Sequence, residues 1–437
     1  MGLPLMRPRS VERALGCLRT RTVAVVQSVS LFLPLLALGC GTRPVAETSD
    51  APLVISEPVE HRATVAVREP MVVEHPEGTL FVAGFSQAME ESGRPPKLFK
   101  STDGGSSWQA VPVGTVTEGA VGNSDVDLAI GPDGTLYFLT MGYDRERGEG
   151  THIAVGVSRD VGESFRWTYL SQTRYDDRPW IEVTPDGVAH VIWNDGAGVR
   201  HSVSTDAGIT WTEWARITPQ GGSSSLALGP KGETAVRVIP RSASGNRYDE
   251  GVDYIVVSVD GGRSWRRLAP PGTRIWASED PDFQLLPRWV EPLAWDSEGV
   301  LYYLWSQGSE LWLGRSTDQG ESWESWPIVS GQEPVYFPFV VARGPGEVAA
   351  TWFSASGEDL RANVALIQAG GGGPPNVRRA APIELDVWRS TGASSYREPG
   401  GEYIPILFLE GGDLGVVTPI QNASEHRLGF AWYRISD

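Results

Sequence analysis

One octapeptide, Ser-x-Asp-x-Gly-x-Ser/Thr-aromatic, occurs five times in the 437-residue chain and limits its fold more than any other feature. The copies are Ser101–Trp108 (STDGGSSW), Ser158–Phe165 (SRDVGESF), Ser204–Trp211 (STDAGITW), Ser258–Trp265 (SVDGGRSW) and Ser316–Trp323 (STDQGESW), with starts 57, 46, 54 and 58 residues apart. Self-similarity at such a period marks an array of one supersecondary unit. In a tight hairpin the Asp can accept hydrogen bonds from N–H groups of its own turn, and the Gly supplies a positive φ. The final Trp or Phe opens the next strand by burying a large ring. Asp103, Asp160, Asp206, Asp260 and Asp318 are therefore read as structural and set apart from any catalytic carboxylates.

A second repeat surrounds the first: an alternating apolar run, a turn often containing Pro-x-Gly, and another alternating run. Its seven copies are 68–85, 124–141, 177–194, 222–240, 291–307, 336–354 and 403–421. Period-2 alternation on both sides of a turn is the signal of a β-hairpin. The 51 Gly and 32 Pro suit many short strands and turns and argue against an all-α fold. Hairpin, third strand, octapeptide turn and fourth strand together make one propeller blade. The fold expected is all-β, a β-propeller of four-stranded blades, seven in number, or six if one alternating segment is an excursion. The last repeat has a third strand in 427–435 but no fourth; Val59–Val67 is expected to supply it and close the ring, leaving no open edge. The GGGGPP stretch at 370–375 is read as a loop inside the sixth repeat.

The N-terminus reads as an address. Arg7, Arg9, Arg13, Arg19 and Arg21 precede an uncharged apolar run from Val23 to Leu38, then Gly39-Cys40. This is the order of a secretory signal. Leu36-Ala37-Leu38-Gly39-Cys40 resembles a bacterial lipobox, which implies cleavage before Cys40, lipidation of its thiol, and a membrane-anchored, exported protein. The expected divisions are a signal peptide at 1–39, a lipidated Cys and tether at 40–58, and the propeller at 59–437. Cys17 would leave with the signal, so no disulfide framework is available. The net charge of -17 is the wrong sign for holding nucleic acid.

The five octapeptides resemble the Asp-box (BNR) repeats of the sialidase-like β-propeller superfamily, over roughly residues 60 to 437. The resemblance implies a glycan as ligand and, in enzymes of the family, three Arg gripping the substrate carboxylate, a Tyr nucleophile activated by a Glu, and an Asp as general acid. Arg68-Glu69-Pro70 resembles the Arg-x-Pro signature of the first Arg. Arg237 and Arg241 fall near the place of the second Arg, and Glu402-Tyr403 near that of the nucleophile. The chain departs from the pattern elsewhere. The segment that holds the family's acid has only Glu90 and Glu91, and Gly222-Ser223-Ser224 stands where its Glu sits, with Glu291 one repeat later as the substitute.

Aligning the hairpins on their turns gives a reading that needs no family. The residues just before each inner strand are Arg68/Glu69, Ser124/Asp125, Asp177/Arg178, Gly222/Ser223, Glu291, Tyr336/Phe337 and Tyr403/Ile404. In a propeller these ends ring the central channel, so Arg, carboxylates and Tyr should converge there to meet a carboxylated or polyhydroxylated ligand. The candidate catalytic residues are Tyr403, Glu291 and Asp125, and the candidate substrate-binding residues Arg68, Arg178 and Arg237. Blade-to-blade ion pairs are the structural reading of Glu69, Asp177 and Arg178. No His spacing suggests a metal, and no cofactor is expected; His75, His152 and His201 read as core or surface residues, while Trp276 and Trp289 could stack on sugars. Two function classes follow: a glycan-recognising lipoprotein that hydrolyses its ligand from the end, and a non-catalytic propeller that binds a protein or scaffolds an envelope complex. A third is a lyase or other glycosidase with Asp125 and Glu291 as its acid/base pair.

Overall fold

The computed structural model describes residues 47–48, 51–86, 93–240, 250–272, 275–276, 290–356, 359–385, 401–422 and 427–436. The signal segment, Cys40, Glu90, Glu91, Arg241, Trp289 and the side chain of Trp276 lie outside the described residues. Seven antiparallel sheets form the blades of one β-propeller. Each expected hairpin supplies the two inner strands of a blade: Arg68–Glu74 with Leu80–Phe85, Ser124–Ile130 with Leu136–Asp144, Asp176–Val183 with Ala189–Asp195, and Gly222–Leu228 with Thr234–Ile239. Leu293–Trp295 with Leu301–Gln307, Val335–Ala342 with Glu347–Ser356, and Ile406–Phe408 with Leu414–Asn422 complete the set. The innermost strands touch in order around the ring, and that of blade seven meets that of blade one.

The chain closes the ring from both ends. Val59–Arg62 pairs antiparallel with Arg427–Ser436, the third strand of blade seven. The pairing begins earlier in the chain than the expected boundary at residue 59. Val54–Ile55 also pairs with Ile435 and Ser436, and Glu47–Thr48 runs parallel to Asn376–Arg379, the fourth strand of blade six. Leu53 N–H donates to the Arg379 carbonyl at 3.0 Å, so one segment spans blades six and seven. Much of the stretch read as a tether is thus part of the fold, because two unfilled sheet edges offer it backbone partners.

All five octapeptides adopt one geometry. In the first, Asp103 accepts from Ser101 Oγ (2.8 Å), Ser107 N–H (2.8 Å) and Ser107 Oγ (2.6 Å), while Gly105 N–H donates to Ser101 Oγ at 2.8 Å. These bonds, the Ser107 hydroxyl's first, hold the Asp103 carboxyl down at about 2. Two successive residues of every copy have positive φ, for example Gly104 at 69° and Gly105 at 92°, or Val161 at 55° and Gly162 at 80°. Only the second is Gly in all five. A Cβ on Gly104 would meet nothing within 4 Å, whereas one on Gly105 would stand 2.1 Å from Trp432 Nε1 in blade seven. The same Gly abuts Phe81 at Gly162, Val157 at Gly208, His201 at Gly262 and Ile255 at Gly320. Each contact is on the preceding blade, so the octapeptide is a seat against a neighbour as well as a turn.

Polar bridges cross every blade junction. His75 Nε2 donates to the Gly134 carbonyl (2.9 Å), and Glu77 N–H donates to His75 Nδ1, which fixes the tautomer. Asp127 Oδ2 accepts from Ile181 N–H (2.8 Å), Asn194 Oδ1 from Ser223 N–H (2.7 Å), and Ser225 Oγ from Leu293 N–H (3.3 Å). Asp296 Oδ2 accepts from Gly346 N–H (2.9 Å), Thr351 Oγ1 donates to the Ile404 carbonyl, and Glu74 Oε2 accepts from Glu410 N–H (2.8 Å). Gly370 and its neighbours form a loop between the third and fourth strands of blade six, as expected, and Arg315 of blade five donates to the Ala369 and Gly371 carbonyls.

Gly105→Ala should lower the unfolding free energy by about 2–4 kcal/mol, because left-handed strain adds to a clash with Trp432. Gly104→Ala should cost only about 1 kcal/mol, the strain alone. Urea midpoints of the two variants check this; equal losses would mean that the seat on blade seven contributes nothing.

Candidate functional site at one mouth of the channel

The inner strands of five blades do not start cleanly. Their pairing slips at Arg68/Met71, Ser124/Val126, Asp177/Trp180, Ser223/Ser225 and Tyr336/Phe339. A bulge re-aims the residue it carries. Three bulged residues have positive φ without being Gly, Glu69 at 43°, Arg178 at 49° and Phe337 at 40°. Each is followed by Pro, which has no N–H to lose and is tolerated at such a break. Backbone strain of this kind costs about 1–3 kcal/mol per residue and gathers at functional sites. The recurring X-Pro at the start of the inner strands is the sequence signal for these bulges, and it extends to Glu291-Pro292 and Ile404-Pro405.

The bulges bring blades one, two, three and seven together. Arg178 donates from Nη1 to Tyr403 Oη at 3.0 Å and from Nη2 to Glu402 Oε2 at 2.7 Å, all three residues being buried. The Tyr403 ring meets Trp180 edge-on, with centroids 5.3 Å apart. Gly401 lies so close to Glu69 that a Cβ would fall 2.3 Å from Glu69 Cγ. The Glu69 carboxyl is pushed well above the usual range by burial, then by the charges of Asp125 and Glu402, against the pull of Arg68 and Arg178. Burial and the charge of Asp177 raise Asp125, with Arg178 opposing. Burial drives Tyr403 far above 10; Arg178 opposes, and Glu402, Glu69 and Asp125 add to the rise. Tyr403 is therefore a neutral phenol that accepts from Arg178 and keeps its own proton to donate.

The six candidate residues fall into two groups. Tyr403, Asp125, Arg68 and Arg178 share the mouth of the channel with Glu69, Asp177 and Glu402. Arg237 and Glu291 meet each other instead. Arg237, with no exposed surface, pairs with Asp253 at 2.8 Å and Glu291 at 2.9 Å, and Tyr303 donates to Glu291 Oε2 at 2.6 Å. The strongest charges on Tyr303 are those of Arg237, Glu291 and Asp253, whereas those on Tyr403 are Arg178, Glu402, Glu69 and Asp125. So Arg237 holds carboxylates of its own chain where the sequence reading gave it a ligand's carboxylate. Glu291 is likewise neighbour to Tyr303 rather than to Tyr403. Arg237 lies within the second strand of blade four, against Glu291, which precedes the inner strand of blade five, a strand that pairs without a bulge.

Sequence reasoning passed over Arg145. It follows the second strand of blade two, donates from Nη2 to the Asn123 carbonyl at 2.8 Å, and lies 5.6 Å from the centre of the Tyr143 ring. Burial and then the like charge of Arg68, partly offset by Tyr143, lower its affinity for a proton. Below the mouth, a cavity of about 320 Å³ runs between inner-strand residues of all seven blades, among them Met71, Leu128, Trp180, Leu226, Pro292, Phe339 and Ile406. Two carboxyls interrupt this apolar wall. Burial pushes Asp127 up to about 7, against its two backbone N–H donors. The Glu182 side chain faces the open cavity but has protein around it on every side; this enclosure, and then the charge of Asp127, push it up to about 8.

No protein-family model matches the chain, and no curated protein is similar to it in sequence. Solved structures resemble it at low identity. It is similar to the Penicillium chrysogenum α-L-arabinanase complexed with arabinobiose, at 13% identity over 89% of this chain and 98% of that one, with a TM-score of 0.45. It is similar to a PL25 ulvan lyase at 13% identity over 83% and 93%, TM-score 0.49, and to YCF48 from Cyanidioschyzon merolae at 14% identity over 88% and 98%, TM-score 0.46.

Arg178→Gln should destabilise the protein by about 3–5 kcal/mol, since Glu402 would stay buried without its cation. Pairing it with Glu402→Gln should restore more than half of that loss in a double-mutant cycle. A second outcome concerns the channel. The raised Glu182 gives stability that is complete below its unfolded value and declines as pH rises through about 8. The melting temperature should therefore fall between pH 5 and pH 9 in the native chain and fall less in Glu182→Gln.

Proposed function

We propose that the channel mouth binds the end of an acidic glycan and cleaves its terminal glycosidic bond. One observation supports the reading above the others. Carboxyls held toward the protonated state, Glu69 and Asp125, lie within electrostatic reach of guanidiniums, Glu69 of Arg68 and Arg178 and Asp125 of Arg178. A glycosidic oxygen needs a proton as it leaves, and burial with like charge nearby favours the protonated, donating form of these two carboxyls. An ionised sugar needs a fixed positive charge, which a guanidinium supplies bidentately. In this scheme Asp125 or Glu69 gives its proton to the leaving oxygen, and water completes the hydrolysis.

The finer reading is an exo-glycosidase of the sialidase type, with Tyr403 as nucleophile and Arg68 and Arg178 on the substrate carboxylate. Tyr403 must then lose its proton to a neighbour; of the carboxyls whose charges reach it, Glu402, Glu69 and Asp125, Glu402 is the one left to take it when Glu69 and Asp125 hold protons. Glu291 and Arg237 support the rim in this proposal. Lipidation of Cys40 would place the propeller on an envelope surface, where polymeric glycans are at hand.

The test is release of fluorophore from an aryl sialoside and a panel of acidic and neutral aryl glycosides. Asp125→Asn and Glu69→Gln are expected to lower kcat by about 10²–10⁴-fold, and Arg68→Ala to raise KM. Activity should decline as pH rises and the acid loses its proton. Silence across the panel, with a cooperative melt and no binding on a glycan array, would overturn the proposal in favour of a protein-binding propeller.

A further inference from the structure

Beside the channel mouth, blade two carries a recess of about 360 Å³ lined by Asn123, Gly142, Tyr143, Arg145, Thr151 and His152, with Glu146 exposed at its edge. Its size is that of a small-molecule site. The recess is built by local hydrogen bonding. Asn123 donates from Nδ2 to the Tyr143 carbonyl at 3.1 Å and accepts from Tyr143 N–H at 2.8 Å, which extends the hairpin past its last strand pair. Gly142 leaves the space that the His152 ring occupies, since a Cβ there would lie 1.9 Å from His152 Cε1. Burial keeps that imidazole neutral by lowering its value.

Arg145 supplies the only cation of the lining. It donates hydrogen bonds to the backbone carbonyls of Asn123 (2.8 Å) and Ser86 (3.4 Å), and among the described residues it makes no ion pair. Of the two acids in the lining, Asp144 holds Arg147 at 2.7 Å and accepts from the N–H groups of Glu146 and Arg147, while Glu146 is exposed. Arg145 also stands close enough to Arg68 for the two charges to repel, and Tyr143 feels Asp125 and Asp177 of the mouth. A half-buried guanidinium held by carbonyls, next to a second guanidinium, is a site for an anion.

We infer that this recess is a second saccharide subsite, for a sugar residue bearing a carboxylate or sulfate, which makes the ligand an acidic oligosaccharide running from the channel mouth over blade two. This rests on the glycan reading above. A single terminal sugar would fill the mouth alone; an anionic neighbour would reach Arg145. The subsite therefore sets chain length and charge preference.

The experiment has two arms on the soluble chain. In the first, inorganic sulfate is titrated by calorimetry into the native protein, Arg145→Gln and Arg145→Lys. Native binding weakened at least tenfold in Arg145→Gln and largely kept in Arg145→Lys supports the subsite, independently of any glycan. Equal loss in both variants, or none in either, overturns it. In the second arm, an array of uronate and sulfated saccharides from one to four units is probed with the same proteins. Acidic di- and longer saccharides should bind at least tenfold more tightly than their monosaccharides, and Arg145→Gln should erase that difference while Arg68→Ala removes monosaccharide binding too. Equal affinity for mono- and oligosaccharides overturns the subsite and leaves the channel-mouth reading standing. If sulfate binds through Arg145 but no saccharide does, the glycan reading fails and the saccharide assignment of the recess fails with it.

Discussion

The seating of one blade on the next is the constraint on which the rest of this molecule depends. A four-stranded sheet alone has two bare edges and an unburied face, and gains nothing from its hairpins until a neighbour covers them. Here the neighbour is reached through the second glycine of each octapeptide, which lets the turn approach Trp432, Phe81, Val157, His201 or Ile255 of the blade before it. A side-chain-to-backbone hydrogen bond at each of the seven junctions then fixes the rotation of blade on blade. Blades six and seven have no octapeptide, and Arg315 and the N-terminal strands take its place there.

Closure of the ring is also what creates the site. An inner strand that began in register would place its first residues along the sheet. A bulge at the same point in five blades turns them, at the expense of unfavourable φ at Glu69, Arg178 and Phe337. Phe337 shows that the backbone device is generic: blade six uses it to bury an apolar ring. What differs is the side chain. In blades one, two and three the turned residues are charged, and blade seven answers with Glu402 and Tyr403.

Arg178 is the hub of that group. It lowers the cost of ionising Glu69, Asp125 and Tyr403 while it is itself held by Glu402 and Tyr403. With several carboxyls around it, burial and mutual repulsion favour the protonated forms of Glu69 and Asp125. An arrangement of this sort is poised for proton transfer, and Arg68 and Arg145 beside it add positive charge that a ligand can neutralise.

The repeats alone determined that the chain is a ring of hairpins. Period-2 runs specify strands, the seven hairpin repeats count the blades, and a missing fourth strand at the C-terminus requires an N-terminal one, because hydrogen-bonding groups of a sheet edge need partners. The convergence of Arg68, Asp125, Arg178 and Tyr403 was legible for the same reason, since each begins an inner strand. Three matters were decided only by the tertiary structure. Arg178 and Tyr403 are 225 residues apart, and only closure makes them bond. Arg237 and Glu291 were drawn into a buried network because enclosure by the adjacent blade is invisible in a linear pattern. Of the two positive-φ positions in each octapeptide only one must be glycine, because a dihedral preference is local but the atom that a Cβ would strike belongs to another blade.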